Sequence, residues 1–359
     1  MNENKEHRFP YEWNLKDAIF TKDKGKVFSC FACGGGSTMG YKLAGFDVIG
    51  CNEIDPKMME AYIENHKPKY SFLEPIQTFK NRTDLPKELY QLDILDGSPP
   101  CSSFSMAGSR EKAWGKEKKF REGQTDQVLD TLFFDFIDLA KKLQSKVVVA
   151  ENVKGLIQGG AKAYVRKIYI EFYKAGYHVQ HFLLDASKMG VPQKRERVFF
   201  IALRKDLANK FMKQVDMFTS VPELKMNFKE KKIYLGEFAD FKGLKITDHA
   251  LQAWNSKIDS DTKLSNAKKR AGMKETNFNC KFMFLDKPIS TITANGYHSF
   301  IHHKEPIYIS EHEMICAGSY PRDYNFMTNP WYYLIGMSVP PVMTAQIATE
   351  IYNQWLSKT

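Results

Sequence analysis

The sequence predicts an α/β protein built on a doubly wound, mostly parallel sheet, together with a second, smaller domain. Short apolar runs alternate with segments of helical periodicity over the first 204 residues, which is the pattern of repeated strand–helix–strand units. The first apolar run leads directly into three consecutive glycines, as at the first turn of such sheets. The second domain is predicted because the alternation stops after Arg204, where a polar stretch rich in lysine and asparagine follows.

The elements of the predicted sheet can be placed in chain order. Strands are predicted at 26–31, 46–51, 92–96, 146–150, 179–184 and 197–203, where short runs of β-branched and aromatic residues occur. Helices are predicted at 38–44, 56–66, 128–143 and 155–175 from the spacing of their apolar residues. A helical pattern returns at 347–356 and is expected to pack back on the first domain.

Composition limits the classes of protein. Of the 359 residues 43% are hydrophobic, which is enough for a core, and the net charge of +10 favours a polyanionic partner such as nucleic acid. The same excess of charge could serve solubility alone. Six cysteines are too few for a disulfide scaffold, and the Cys30–Cys33 pair lacks a second pair at zinc spacing, so no metal is expected. No signal segment or membrane-spanning run is found, so we expect a cytoplasmic protein with no membrane partner.

The glycine-rich turn points to a cofactor that contains a nucleoside. Glycines at 34–36 follow the first strand and allow backbone N–H groups to approach a ligand closely. Glu53 lies about 20 residues further on, at the end of the second strand, where a carboxylate can accept hydrogen bonds from ribose hydroxyls. The spacing is not G-x-G-x-x-G, which disfavours a nicotinamide dinucleotide. A tight turn beside a solvated carboxylate is the simpler alternative.

Reactive side chains follow three other predicted strands. Cys101 comes after two prolines at the end of the strand at 92–96, and Glu151 ends the strand at 146–150. Arg195 and Arg197 precede the strand at 197–203. A thiolate can add to an electrophilic ring carbon, a carboxylic acid can protonate a ring nitrogen, and arginine can bind an exocyclic oxygen. Alkylation of cytosine at C5 needs this set, although each residue alone could be structural.

Five stretches together resemble the ordered motifs of the DNA (cytosine-5) methyltransferases of the bacterial or phage restriction–modification type. The glycine loop FSCFACGGGS, the Pro-Cys motif GSPPCSSFS and the tripeptide ENV occur in the family's order. They are followed by QKRER, which matches Gln-x-Arg-x-Arg, and by GMSVP, which is similar to a late Gly-Asn-Ser-Val motif. The resemblance extends from about residue 26 to the C-terminus, apart from one variable segment.

This resemblance implies a class I methyltransferase with a Rossmann-like sheet and S-adenosylmethionine as the methyl donor, which leaves as S-adenosylhomocysteine. It implies a covalent bond between Cys101 and C6 of a flipped-out cytosine, whose C5 receives the methyl group. Glu151 would contact ring N3 and the amino group, while Arg195 and Arg197 would serve the base and its phosphates. The residues that would shape the turn before the nucleophile are Pro100 and Asn152.

The resemblance also implies which residues contact the cofactor, with Glu53 on the ribose and Ile54 beside the adenine. The expected contact residues are Phe31, Gly34, Gly35, Gly36, Glu53, Ile54, Ile76, Pro99, Met337 and Ser338. Several positions depart from the family pattern. Ser29–Cys30 replaces Asp-Leu, Cys33 replaces a glycine, Pro75 replaces an adenine-binding Asp and Met337 replaces an Asn. The Arg-rich motif expected near 309–315 is also blurred. The departures put some cofactor contacts in doubt but leave the Cys, Glu and Arg set intact.

Contacts with duplex DNA are expected from a loop at 104–121 and from the variable segment. The residues expected to contact DNA are Ser102, Ser105, Arg110, Lys116, Lys118, Lys119, Gln193, Lys268, Lys269 and Arg270. A second expected DNA-facing loop lies at 290–295. For each single lysine, a solvated charged surface is an equal alternative.

The implied organisation has four parts. They are a catalytic and cofactor-binding domain at 1–204, a target-recognition domain at 205–300, a hinge at 301–329 and a C-terminal segment at 330–359 that returns to the catalytic domain. We expect a monomer that acts on double-stranded DNA, with a separate restriction endonuclease as its biological partner. The alternatives are a tRNA cytosine-5 methyltransferase on the same fold, a non-catalytic DNA-binding relative, or an oxidoreductase.

Overall fold

The computed structural model describes residues 6–100, 117–118, 127–128, 131–215, 220–274, 280–294 and 296–359. Its strands in chain order are β1 (Lys26–Cys30), β2 (Asp47–Glu53), β3 (Tyr70–Leu73), β4 (Ile94–Gly97), β5 (Glu117–Lys118), β6 (Gln127–Val128), β7 (Val147–Val153), β8 (Tyr177–Asp185), β9 (Gln193–Lys194), β10 (Glu196–Arg204), β11 (Met212–Gln214), β12 (Ser220–Pro222), β13 (Lys281–Met283), β14 (Ile289–Ser290) and β15 (Phe300–His302).

Its helices in chain order are α1 (Gly36–Leu43), α2 (Pro56–His66), α3 (Ile76–Phe79), α4 (Leu132–Leu143), α5 (Lys162–Lys174), α6 (Lys205–Ala208), α7 (Asp248–Trp254), α8 (Leu264–Arg270), α9 (Glu311–Ala317), α10 (Trp331–Met337) and α11 (Pro341–Gln354). No helix in the described ranges is both long and apolar enough to cross a membrane.

A seven-stranded sheet with the order β3-β2-β1-β4-β7-β10-β8 forms the centre of the fold. The strands from β3 to β7 in that order are parallel, while β10 runs antiparallel to both of its neighbours. The order reverses direction at β1 and β4, which is the point where doubly wound sheets place their ligands. The predicted doubly wound, mostly parallel sheet is therefore confirmed.

Apolar side chains of the central strands pack against helices α4 and α5. In β7 the run Val147, Val148, Val149 and Ala150 is buried on both faces, as expected for an internal strand covered by helices. Helix α4 turns its apolar stripe, including Phe133 and Phe136, into the same core. This packing fixes the strand ends that carry the candidate site.

Local sequence explains where several elements begin. Helix α2 has the predicted bounds. It begins at Pro56 because the side chain of Asp55 accepts hydrogen bonds from the N–H groups of Lys57 and Met58. The helix predicted at 155–175 begins only at Lys162, after Gly159, whose φ of 63° is incompatible with a right-handed helix. The helix predicted at 128–143 begins at Leu132, because the backbone at 127–128 pairs as β6 with β5.

The chain divides into two compact units. We call residues 19–185, 196–227 and 344–359 the sheet unit, since they hold the seven-stranded sheet. We call residues 1–18, 186–195 and 228–343 the accessory unit. The accessory unit contains the paired strands β13–β15 and β9–β14, and its own core gathers around Phe282 and Ile301. The units are defined by packing, and the functional boundaries at 204, 300 and 329 stay predictions.

Candidate active site

A tight loop follows β1 at the carboxyl edge of the sheet. Its backbone takes the left-handed region at Phe31 (φ 52°), Cys33 (φ 49°) and Gly35 (φ 80°), and α1 begins at Gly36. Non-glycine residues adopt this region only at a cost, so neighbouring structure must hold the loop in shape. Gly34, Gly35 and Gly36, which were predicted to contact the cofactor, all lie in this segment.

The buried imidazole of His66 supports the loop from behind. A Cβ atom at position 35 would lie 2.2 Å from Nε2 of His66, so only glycine fits there. The same Nε2 is 3.2 Å from the carbonyl oxygen of Gly34, and because a carbonyl can only accept, the ring donates. Burial and the nearby Lys42 ammonium lower the pKa of His66 to about 3. The ring is therefore neutral over the ordinary pH range.

Glu53 joins the glycine loop to the end of β2. Its Oε2 accepts the N–H of Cys33 at 2.7 Å, and its Oε1 accepts the N–H groups of Ile54 and Asp55 at 2.8 and 2.9 Å. Burial raises the pKa of this carboxyl, and the three hydrogen bonds act in the opposite direction. A carboxylate offers about four acceptor positions, so one remains for a further donor.

The other residues predicted to contact the cofactor fall into both units. In the sheet unit, Ile54 is half-buried and Ile76, at the start of α3, is buried. In the accessory unit, Met337 ends α10 with 43% of its surface exposed, and Ser338 lies 2.5 Å from the hydroxyl of Tyr320. Their roles toward a cofactor stay predictions.

The turn that follows β4 is fixed by Asn152. The Nδ2 of this buried side chain donates to the carbonyl oxygen of Pro99 at 3.0 Å, and its Oδ1 accepts the N–H of Val153 at 2.9 Å. Asn152 thus connects the end of β7 to the two prolines that precede Cys101. Cys101 itself lies outside the described residues, as do Ser102, Ser105, Arg110, Lys116 and Lys119, and of Lys118 only the backbone of β5 is described.

Glu151 and Arg197 form an ion pair at the end of β7. In the antiparallel register of β7 and β10, Arg197 pairs with Val153 and Phe199 pairs with Glu151. Glu151 and Arg197 are therefore diagonal neighbours on one face, within reach of long side chains. The Nε of Arg197 lies 3.0 Å from Oε1 of Glu151, and the two side chains are 16% and 12% exposed. Burial lowers the pKa of Arg197, and the Glu151 carboxylate opposes that shift.

Asp96, inside β4, is an ionisable residue that sequence reasoning did not identify. Its carboxyl accepts hydrogen bonds from Ser29 Oγ at 2.8 Å and from the Tyr41 hydroxyl at 3.1 Å. Burial raises the pKa of Asp96 to about 7, against the effect of both hydrogen bonds, and the Glu151 carboxylate raises it further. The only sequence signal was an aspartate inside an otherwise apolar strand.

Gln193 and Arg195 belong to the accessory unit and are almost completely buried. The Nε2 of Gln193 donates to the Ala317 carbonyl, and its Oε1 accepts the N–H of Ile292. The guanidinium of Arg195 donates to the carbonyl oxygens of Ile292 at 2.8 Å and Gly336 at 3.0 Å. These contacts hold the accessory unit together, so the predicted contacts of both residues with DNA stay predictions.

The basic run on α8 is mostly occupied within the accessory unit. Lys268 is 1% exposed. Arg270 forms an ion pair with Asp261 and also donates to the carbonyl oxygen of Ser256. Lys269 is exposed. Lys269 and Arg270 are thus both exposed, and Arg270 is already paired with Asp261.

A group of metal-ligand types lies elsewhere in the accessory unit. Glu12, His312 and Cys316 each place one potential ligand atom within 4.8 Å of the others. Glu12 is also the ion-pair partner of Arg322. Burial, with help from Asp240, raises the pKa of the Cys316 thiol to about 12. A thiol that resists ionisation and a carboxylate held by arginine do not favour a metal.

Comparison with known proteins finds sequence relatives and solved structures that share the fold. The chain is 38% identical over 182 residues to the Type II methyltransferase M.FnuDI of Fusobacterium nucleatum, covering 51% of this chain and 48% of the relative. It is 35% identical over 187 residues to the Type II methyltransferase M.NgoPII of Neisseria gonorrhoeae, covering 52% and 50%. The chain thus spans about half the length of these relatives.

A solved structure with the same fold is a mutant of DNMT2 from Spodoptera frugiperda. It superposes with a TM-score of 0.60 at 18% identity and covers 91% of this chain and 99% of that chain. A sequence model described as C-5 cytosine-specific DNA methylase matches residues 25–353. This match spans nearly the whole chain, including both units. The chain belongs to the family of C-5 cytosine-specific DNA methylases.

Proposed function

We propose that this protein transfers a methyl group from S-adenosylmethionine to C5 of a flipped-out cytosine in duplex DNA. The observation that carries the proposal is the Glu151–Arg197 ion pair beside the turn that Asn152 holds in front of Cys101. It places a carboxyl group and a cation at the edge of the sheet where the described turn at Pro99 leads toward Cys101. Membership of the cytosine-5 methylase family supports the same chemistry.

The cofactor region suits a nucleoside that carries hydroxyl groups. Residues 34–36 of the glycine loop carry no side chains, so its backbone can approach a ligand closely. The free acceptor position of Glu53 suits a ribose hydroxyl, and the half-buried Ile54 offers an apolar contact for an adenine ring. S-adenosylmethionine, when bound there, supplies an electrophilic methyl group from its sulfonium. The product would be S-adenosylhomocysteine.

The protein's own residues would make cytosine nucleophilic at C5. The Cys101 thiolate forms a bond to ring C6, and the electron pair displaced from the C5–C6 double bond moves toward C5 and N3. A proton shared between the Glu151 carboxyl and N3 balances the charge that moves onto N3, and N3 returns it to Glu151 once C5 has taken the methyl group. Arg197 binds the exocyclic O2. After C5 takes the methyl group, a base removes the C5 proton, the double bond re-forms and the Cys101 thiolate leaves.

The biological setting proposed here is restriction–modification. The relatives described above are Type II methyltransferases, so a separate restriction endonuclease is the partner we propose. The variable segment at 205–300 would select the DNA sequence, because base edges in the major groove carry a readable code. We propose a monomer, since one active site acts on one flipped base.

Methyl transfer measured on two substrates tests the reaction. Duplex DNA and tRNA are each incubated with the protein and S-adenosylmethionine carrying a labelled methyl group. We expect label in 5-methylcytosine of the duplex and not in tRNA. Label confined to tRNA would identify the RNA enzyme instead, and label in neither substrate would identify a non-catalytic relative.

A mechanism-based trap tests the nucleophile. A duplex with 5-fluorocytosine at the target cannot lose its C5 substituent as a proton, so the covalent complex should survive denaturation. The Cys101→Ser variant should form no such complex while still binding S-adenosylhomocysteine. Cys316→Ser is the matched control, because Cys316 lies in the accessory unit, and it should form the complex. A complex with Cys101→Ser would refute the assignment of the nucleophile.

A further inference from the structure

A cleft in the accessory unit is surrounded by lysines. It encloses about 260 Å³ between the segment at 262–263, strand β13 and the segment that ends in β14. We call it the lysine cleft, after Lys263, Lys281 and Lys287 of its lining and Lys194 beside it. The sequence did not indicate these four residues as a group, because they come from separate parts of the chain.

Backbone pairing brings the four lysines together. Lys263 pairs with Lys281 in an antiparallel bridge, and the N–H of Phe282 donates to the Thr262 carbonyl. Strand β14 pairs in parallel with β9, which places Ser290 opposite Lys194. The Thr291 hydroxyl donates to the Lys194 carbonyl at 2.6 Å. The positions of these lysines in the accessory unit are therefore set by its backbone hydrogen bonding.

The described part of the chain places no ion-paired carboxylate against the lysines of the cleft. Over the described ranges, no carboxylate forms an ion pair with any of the four lysines. Burial, together with the charges of Lys263 and Lys194, lowers the pKa of the half-buried Lys281. Other cations of the same unit do have acidic partners, as Arg270 has in Asp261. Like charges held together without a counter-charge favour an anionic ligand.

The shape and chemistry of the cleft fit one phosphate group. Its volume is below the range of pockets that enclose drug-sized ligands. Thr262 and Ser290 in its lining provide hydroxyl groups, which with lysines are common phosphate contacts in protein–DNA complexes. The Lys287 ammonium lies 4.4 Å from the centre of the Phe284 ring, which holds its aliphatic chain against the lining.

We propose that the lysine cleft binds a backbone phosphate of duplex DNA during methyl transfer. The proposal rests on the proposed function, which supplies duplex DNA as the substrate. In the sequence, Lys194 lies three residues before Arg197, the arginine proposed to bind the base. Contacts with phosphate fix the position of a protein on the duplex without reading its sequence.

Charge removal in the cleft tests the proposal through DNA binding. The double variant Lys263→Gln/Lys281→Gln should bind duplexes of any sequence roughly five- to tenfold more weakly at moderate salt. The slope of log affinity against log salt should fall by about 0.9 for each lost phosphate contact. In turnover the loss should fall mainly on KM for DNA. Lys281→Arg keeps the charge and should restore most of the affinity.

Lys141→Gln is the matched control. It removes one positive charge from an exposed position in the last turn of α4. That turn leads to the amino end of β7, at the sheet edge opposite the candidate site. The variant should bind and methylate as the wild type does. If the double variant also matches the wild type in affinity and salt slope, the proposal is wrong.

A duplex with single neutral methylphosphonate substitutions identifies the phosphate. One or two positions should weaken binding by the wild type and have no further effect on the double variant, because the same contact is lost in both. If every methylphosphonate position weakens binding by the wild type and by the double variant to the same extent, the proposal is overturned. If inorganic phosphate binds the cleft with the same lysine dependence while duplex binding does not change, the cleft is a site for free phosphate. If the wild type does not bind or methylate duplex DNA, the proposed function fails first.

Discussion

Replacing Asp96 with asparagine should change how the stability of the protein depends on pH. In the folded chain the pKa of Asp96 is raised from 3.8 to about 7, mainly by burial. The folded state therefore holds a proton that the unfolded state releases between these two values. Asp96 contributes stability that is fully present below pH 3.8 and is lost as the pH rises toward and through 7. Asparagine is uncharged at every pH and lacks this dependence.

The size of the effect follows from the two pKa values. Integrating the difference in bound protons from pH 5 to pH 8 gives a loss of about 2–3 kcal/mol in the wild type from this one group. Asp96→Asn does not suffer this loss. For a chain of 359 residues, that difference corresponds to roughly 3–4 °C in Tm.

The assay is Tm by intrinsic fluorescence for the wild type and Asp96→Asn at pH 5 and pH 8. The Tm of the variant relative to wild type should rise by the stated amount between the two pH values, and the comparison cancels all other titrating groups. Ser29→Ala is the control, since it keeps the carboxyl but removes a hydrogen bond that lowers its pKa. It should retain the pH dependence of the wild type or steepen it. An equal Tm difference at both pH values for Asp96→Asn would refute the reasoning.

Three further predictions concern the loop and the ion pair. Gly35→Ala should destabilise the protein by about 2–4 kcal/mol in urea unfolding, because φ is 80° and the new methyl group would meet His66. Gly159→Ala is the control and should cost only about 1–2 kcal/mol, since φ is 63° and a Cβ there has no atom within 4 Å. Equal losses of stability in the two variants would contradict the steric argument. Glu53→Gln should weaken binding of S-adenosylhomocysteine about 10- to 100-fold in calorimetry, since an amide cannot accept all three backbone N–H bonds. Unchanged binding would show that the loop does not need the hydrogen bonds to the Glu53 carboxylate. Arg197→Ala should lower kcat on duplex DNA about 100- to 1000-fold while cofactor binding is retained; a loss confined to KM would argue for a role in binding alone.

Residues that end predicted strands were the ones most readily found from sequence. Glu53 ends β2 and Glu151 lies near the end of β7. These two strands are parallel in one sheet, so the topology that the alternation predicts also predicts their common edge. β3 was missed because it is a four-residue edge strand in which exposed and half-buried residues alternate. Four residues are too few for the alternation of apolar and polar residues to distinguish a strand from a short loop.

Contacts between distant segments could not be predicted from sequence. The bond between Asp96 and Ser29 joins residues 67 positions apart, and no local pattern encodes it. The basic run on α8, which is predicted to bind phosphates, shows a second limit of sequence patterns. Lys268 lies on the buried face of a seven-residue helix. Three consecutive basic residues in a sequence do not show which face of the helix each one occupies.

The neutral His66 ring behind the glycine loop also shapes the acid response of the protein. Its folded pKa of about 3 lies below the ordinary value of 6.5, so the stability it contributes is present above pH 6.5 and declines as the solution is acidified toward 3. Asp96 works in the reverse sense over much of the same interval. On unfolding, His66 takes up a proton and Asp96 releases one. The net number of protons that this pair exchanges with solvent is therefore close to zero between about pH 4 and 6.5. Because the two groups offset each other, this pair adds little net pH dependence to stability in that interval, although each group ionises far from its ordinary range.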